Sequence, residues 1–146
     1  MQMDANGKGG LVHEALSSQI IGAAIEVHRE FGPGVLESAY EASLCFELAE
    51  RGLSVERQVT LPLMYKNQKI DAGYRPDLVI NGSVIVELKC VEKLLPVHDA
   101  QVLTYLKLSG IETGLLINFQ SQPLMKGIKR LVRSRSAVSA VSASTP

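Results

Sequence analysis

Asp77-Leu78-Val79-Ile80-Asn81-Gly82-Ser83-Val84-Ile85-Val86-Glu87-Leu88-Lys89 is the stretch on which the reading of this chain turns. Two short apolar runs meet at Asn81-Gly82-Ser83, residue types that favour a tight turn. Strand side chains alternate faces with a period of two, so Glu87 and Lys89 point the same way. Pairing the two runs as a hairpin brings Asp77 alongside them. Two carboxylates and an ammonium then share one small patch of sheet, among residues that otherwise belong to a core. Adjacent acids offer the hard oxygen ligands that Mg2+ or Mn2+ takes. A lysine beside them can contact a phosphate, or orient and deprotonate a water. The same spacing also suits a solvated strand pair with one ion pair, and these three residues alone do not separate the two readings.

The surrounding chain has 146 residues, 46% of them apolar, which fits one domain with a substantial core. Helix-like and strand-like segments both occur, so the class is α/β or α+β. No apolar run reaches the ~18 residues of a membrane span, and the start MQMDANGKGG lacks the layout of a signal peptide. A cytoplasmic location is the default expectation. Cys45 and Cys90 are far apart, with no CxxC or paired histidines, and read as small reduced apolar residues rather than a zinc or disulfide framework.

Formal net charge is zero but unevenly spread. Residues 1–125 carry ten basic and fifteen acidic side chains, whereas residues 126–146 carry five basic ones and no acid. The basic end suits a nucleic-acid backbone or an ordinary solvated flank.

Apolar positions at helical spacing predict a first helix over 16–31, broken by Gly32-Pro33-Gly34. A second helix is expected from Val35 to Arg51, with a stripe of Leu36, Ala39, Tyr40, Leu44 and Leu48 inward and Glu41, Glu47 and Glu50 mostly outward. Glu37, in its first turn three residues before Tyr40, can share the inward side or merely answer the helix dipole. Three strands follow, over 54–65, 70–80 and 84–90, joined by polar turns into an antiparallel meander. A third helix is expected over 97–108, with Val97, Ala100, Leu103, Tyr105, Leu106 and Leu108 supplying its apolar content, and a doubly covered strand over 113–119. Residues 124–133 suit a helix or an edge strand. The order is α-α-β-β-β-α-β. Gln101 and Tyr105 lie one turn apart on the third helix, directly after the acidic strands. Residues 1–15 read as a flexible leader and 134–146 as a low-complexity tail, leaving 16–133 as the domain.

Five separated elements resemble the PD-(D/E)XK nuclease superfamily, and within it a small bacterial family named for its GxxExxY motif. Among them are Gly34-Val-Leu-Glu37-Ser-Ala-Tyr40, Arg75-Pro76-Asp77, Glu87-Leu88-Lys89 and Gln101-Val-Leu-Thr-Tyr105, and the flanking words IIGAAIEVHREFGPG, VIVELKCVE, HDAQVLTYL and GLLINF also look like that family. The resemblance implies a restriction-endonuclease-like αβββαβ core with an additional N-terminal helix and a mixed sheet. It further implies that Asp77, Glu87 and the backbone carbonyl of Leu88 ligate Mg2+ or Mn2+. Lys89 would act on the attacking water or the phosphoryl oxygens. Glu37 would enter through a second metal, a water or Lys89, while Gln101 and Tyr105 resemble the QxxxY element of RecB-like nucleases. Metal-dependent hydrolysis of DNA is the implied activity. A non-catalytic nucleic-acid-binding or assembly module, or a nuclease acting on RNA, is the alternative. A chain this short has little room for a specificity domain, so a homodimer or an unidentified protein partner would have to supply reach.

Arg75 could meet a phosphate or a surface carboxylate. His28 lies on an apolar helical face and reads as a core histidine, His98 is placed to support Gln101, and His13 carries no signal.

Overall fold

The computed structural model describes residues 5–133, with side chains from His13 onward. The tail expected over 134–146 and the first four residues of the leader lie outside the described residues. Helix α1 spans Ala5–Phe31, and α2 spans Glu37–Glu50. Seven strands and a third helix follow: β1 (Val55–Arg57), β2 (Leu63–Tyr65), β3 (Gln68–Ile70), β4 (Leu78–Ile80), β5 (Val84–Lys89), α3 (Pro96–Ser109), β6 (Thr113–Asn118) and β7 (Ile128–Val132).

The main sheet has five strands in the order β1-β4-β5-β6-β7. Only β5 and β6 run parallel, joined by the α3 crossover; the other neighbours are antiparallel. This is the mixed α/β architecture of a restriction-endonuclease-like fold. Alternation along the strands feeds two cores. Leu78, Ile80, Val84, Val86 and Leu88 face α1 and α2, where they meet Ile20, Ala24, Tyr40 and Leu44. Val79, Ile85 and Leu116 face the other way and pack on Val102, Tyr105 and Leu106 of α3.

The expected meander is altered on its first two strands. The segment expected to be one strand over 54–65 yields β1 and β2, and that over 70–80 yields β3 and β4, with β2 and β3 forming a separate hairpin. Gln58 ends β1 by taking φ +52, a region costly for a residue with a Cβ, and Pro62 has no amide to donate. Residues 124–133 combine one 3-10 turn with an edge strand, β7, paired to β6. Glycine is required at 114, where an added Cβ would lie 2.7 Å from Val102 Cγ1; this close approach seats α3 against the sheet.

Helix α2 also departs from its expected stripe. Leu36 precedes the helix and is exposed, whereas Glu41, expected outward, is buried. On α3, Val97 and Leu103 face outward, and Val102, Tyr105 and Leu106 carry the packing. Among the described residues, no helix is long and apolar enough to cross a membrane.

Candidate functional site

Register places Asp77 next to Glu87. Leu78 pairs with Val86 across the β4–β5 ladder, so the residues just beyond, Asp77 and Glu87, stand opposite each other on the α3 side. Both carboxylates are buried, at 9% and 5% exposed. Side chains close the ladder here. The Asp77 amide donates to Glu87 Oε1 at 3.1 Å, and the Leu88 amide donates to Asp77 Oδ2 at 2.8 Å. One oxygen of each acid is thereby tied to the backbone. The second oxygen of Asp77 accepts from Gln58 Nε2 at 3.3 Å, and that of Glu87 lies 3.6 Å from Lys89 Nζ.

Burial, reinforced by the charge of Asp77, pushes the Glu87 carboxyl up to about 7, although the Asp77 amide and Lys89 oppose it. Burial also raises Asp77, against the Leu88 amide. Desolvation penalises both anions, and one nearby ammonium only partly offsets it.

Helix α2 brings two further acids. Glu37 is exposed, yet burial of part of its side chain and the charge of Asp77 raise its carboxyl while Lys89 lowers it. Glu41 accepts from Arg57 Nε at 3.2 Å and from Gln58 Nε2 at 3.4 Å. Gln58 therefore bridges Glu41 to Asp77, using its positive-φ backbone to do so. Neither Glu41 nor Gln58 is singled out by the sequence motifs. Glu41 had a legible signal, since it follows Glu37 by one helical turn and shares its side; Gln58 had none.

Tyr40 positions the start of α2. Its hydroxyl donates to the Gly32 carbonyl and accepts from the Val35 amide, and its ring stacks on Phe119 at 4.4 Å between centroids. The tyrosine of the Gly34–Tyr40 motif thus braces the loop from which Glu37 emerges. Across the sheet, Tyr105 is buried and hydrogen-bonds Gln101, with its ring edge-on to Tyr74. Burial and the charges of Glu87 and Asp77 push its hydroxyl upward, so it stays neutral.

Other side chains take structural positions. His98 Nδ1 accepts the Leu95 amide at 2.9 Å, which spends it on the start of α3. Arg75 bonds Thr60 at 3.3 Å, and His13 bonds Thr113 at 3.1 Å. His28 is buried beside Phe119, its Nε2 without a hydrogen-bond partner.

The sequence matches a family model described as the PD-(D/E)XK nuclease superfamily over residues 14–131. The chain belongs to that superfamily. Pro76-Asp77 and Glu87-Leu88-Lys89 supply the elements from which the PD-(D/E)XK superfamily takes its name, and here they meet at one end of the sheet. Among solved structures, the crystal structure of SSO0001 aligns with a TM-score of 0.50 at 22% identity, covering 74% of this chain and 56% of that one. The chain thus spans little more than half of that structure's length, and the likeness concerns the fold. An alkaline exonuclease (LHK-Exo) from Laribacter hongkongensis, also solved in complex with dAMP, aligns at TM-scores of 0.47 and 0.46, with 12% identity over 82% of this chain and 81% of that one. No curated protein matches the sequence.

Members of this superfamily generally use divalent metals. The donor chemistry at this site fits such an ion: two buried carboxylates are left short of positive charge, each with one oxygen not tied to the backbone. Glu37 does not complete a three-acid cluster with them, because among the described residues no three His, Cys, Asp or Glu side chains converge closely enough to hold one ion.

Proposed function

We propose that residues 16–133 form a metal-dependent phosphodiesterase that hydrolyses DNA by in-line attack of water, as a cytoplasmic member of the GxxExxY family. The observation that carries this reading is the buried Asp77–Glu87 pair with Lys89 beside it. Such a pair costs stability unless a cation offsets it.

Asp77, Glu87 and the Leu88 carbonyl would hold Mg2+ or Mn2+, whose bound charge would supply electrostatic stabilisation at the phosphoryl oxygens and acidify water. Lys89 reaches the same corner and supplies a positive charge to orient the attacking water or to offset charge developing on the phosphate. Glu37 acts through Lys89 or a water, since the charges of Asp77 and Lys89 are both felt at its carboxyl. Gln58 holds Asp77 in place. Tyr105 is neutral and donates a hydrogen bond toward the acids or the nucleic-acid backbone, with Gln101 setting its orientation. Reach along a duplex would come from a homodimer or a protein partner.

The test is Mn2+-dependent cleavage of labelled DNA and RNA by the purified chain, with Lys89→Ala as control. DNA cleavage that falls by about a hundredfold or more in the variant supports the proposal. Activity unchanged by the substitution, or a folded protein that cuts neither polymer, contradicts it. A metal-independent binder that cuts nothing would favour the non-catalytic module, to which the excess of acid over residues 1–125 lends some support.

A further inference from the structure

The β2–β3 hairpin stands apart from the main sheet and exposes side chains that a soluble edge has no structural reason to expose. Lys66 and Asn67 form its turn, both at positive φ (+48 and +63), the geometry of a tight two-residue hairpin turn. Leu63 pairs with Ile70 and Tyr65 with Gln68, so these four side chains share one face. Leu63, Tyr65 and Ile70 are 36%, 58% and 39% exposed. The Lys66 ammonium lies 5.4 Å from the centre of the Tyr65 ring, and Lys69 projects from the other face opposite Met64. From Gln58 through Ile70 there are two lysines and no acid, in a region otherwise acidic.

The root of this hairpin is fixed to the candidate site. Gln58, at its start, bonds Asp77; the Leu61 amide donates to the Tyr74 carbonyl at 2.8 Å; and Tyr74 meets Tyr105 edge-on. From that root the five residues to the turn extend on the order of 15 Å.

We infer that the β2–β3 hairpin is a substrate-holding arm for a single-stranded polynucleotide: Tyr65 stacks an unpaired base, Lys66 beside its ring contacts a phosphate, and Lys69, on the opposite face, contacts a further phosphate where the strand passes round the arm. This rests on the nuclease reading of the adjacent site. It meets a need that reading creates, because a corner rich in carboxylates repels the polymer it is to cut. A single strand is the occupant the surface fits. An aromatic face gains most from bases free to unstack, whereas two lysines are few for a duplex backbone. A second copy fits poorly, since antiparallel pairing of two such arms would bring their lysines together with no acid between residues 58 and 70 to answer them.

The experiment is fluorescence anisotropy of end-labelled, mixed-sequence DNA and RNA single strands with the full chain in EDTA, where a metal-dependent cut cannot intrude. Tyr65→Ala is expected to weaken binding about tenfold. Lys66→Gln combined with Lys69→Gln is expected to reduce the slope of log affinity against log salt by about 1.4. All three positions are surface turns or strands, and a thermal melt of each variant checks that it folds. Wild-type binding that both variants retain unchanged overturns the arm while leaving the nuclease reading intact. A wild-type chain that binds no single strand, DNA or RNA, overturns the arm outright, and cleavage in Mn2+ then decides the nuclease reading separately. Concentration-dependent dimerisation lost in Tyr65→Ala, with strand binding unaltered, would assign the face to a second copy and also overturn the proposal.

Discussion

The main-chain amide of Asp77 donates to the side chain of Glu87, and the carboxylate of Asp77 accepts the amide that follows Glu87. The two acids therefore finish the β4–β5 ladder with side chains where regular backbone pairing ends. Their positions are held within about a hydrogen bond's tolerance before any ligand arrives. Asp77 and Glu87 serve the fold with one oxygen each, while the second oxygen of each is not tied to the backbone and has Gln58 or Lys89 as its neighbour. That division explains how a costly pair of anions can persist in a buried corner.

Replacing Glu87 by Gln keeps an oxygen to accept the Asp77 amide and removes the anion. The metal-free variant should gain stability at neutral pH, by up to about 3 kcal/mol given a carboxyl raised to about 7. Urea unfolding of both proteins in EDTA measures this. A loss of stability would mean that the Glu87 charge is already satisfied by Lys89.

The same shift predicts a pH dependence. The folded-state value of Glu87, about 7, lies above the ordinary 4.5, so between these limits the folded protein holds more protons than the unfolded chain. Its stabilising contribution is full below about pH 4.5 and is lost as pH rises through about 7. Asp77, also raised by burial, acts in the same direction. Unfolding free energies of the metal-free protein should fall between about pH 5 and pH 8, and Glu87→Gln should flatten that slope. A slope unchanged in the variant would place the titration elsewhere.

Much of this arrangement was legible before any coordinates. Period-two alternation put Glu87 and Lys89 on one face, and the Asn81-Gly82 turn put Asp77 beside them, as the register bears out. The third helix and the doubly covered strand after it were legible in their apolar patterns, whereas the mixed sheet came only from the family resemblance, and the parallel β5–β6 pairing agrees with it. The turn between β2 and β3 was expected, but the separation of this hairpin from the main sheet was concealed, because its residues continue the strand-like pattern on both sides until Gln58, at positive φ, and Pro62 interrupt it. Glu41 was misplaced for a different reason. A helix position is judged polar by its side chain alone, while its burial here depends on Arg57 and Gln58 arriving from β1 and just beyond it.

Gly114→Ala tests how closely α3 must seat. The new methyl would meet Val102 Cγ1 at 2.7 Å and Leu106 Cδ2 at 3.4 Å, so overpacking should cost about 1–3 kcal/mol. Because α3 carries Gln101 and Tyr105, any phosphodiesterase activity should fall further than the loss of folded protein accounts for. Thermal melts and cleavage rates on the same preparations separate the two effects.

Asn118 is a buried clamp between the ends of β5 and β6. Its Oδ1 accepts the amides of Val91 and Gln120, and its Nδ2 donates to the Val91 carbonyl at 2.8 Å. Asn118→Ala leaves those backbone groups unpaired and should cost about 2–4 kcal/mol. Asn118→Asp keeps the acceptor but sets a buried carboxylate oxygen against the Val91 carbonyl, so at neutral pH a loss at least as large as that of Asn118→Ala is expected; a smaller loss would contradict this assignment of the amide's orientation.

The central claim is that Asp77 and Glu87 together hold a divalent cation. Electron paramagnetic resonance of Mn2+ titrated into the full chain measures this without reference to substrate. A saturable site in the wild type that is weakened at least about tenfold in both Asp77→Asn and Glu87→Gln, each verified as folded, is the predicted result. Mn2+ that stays free in the presence of folded wild-type protein, or binding that both variants retain, would contradict it.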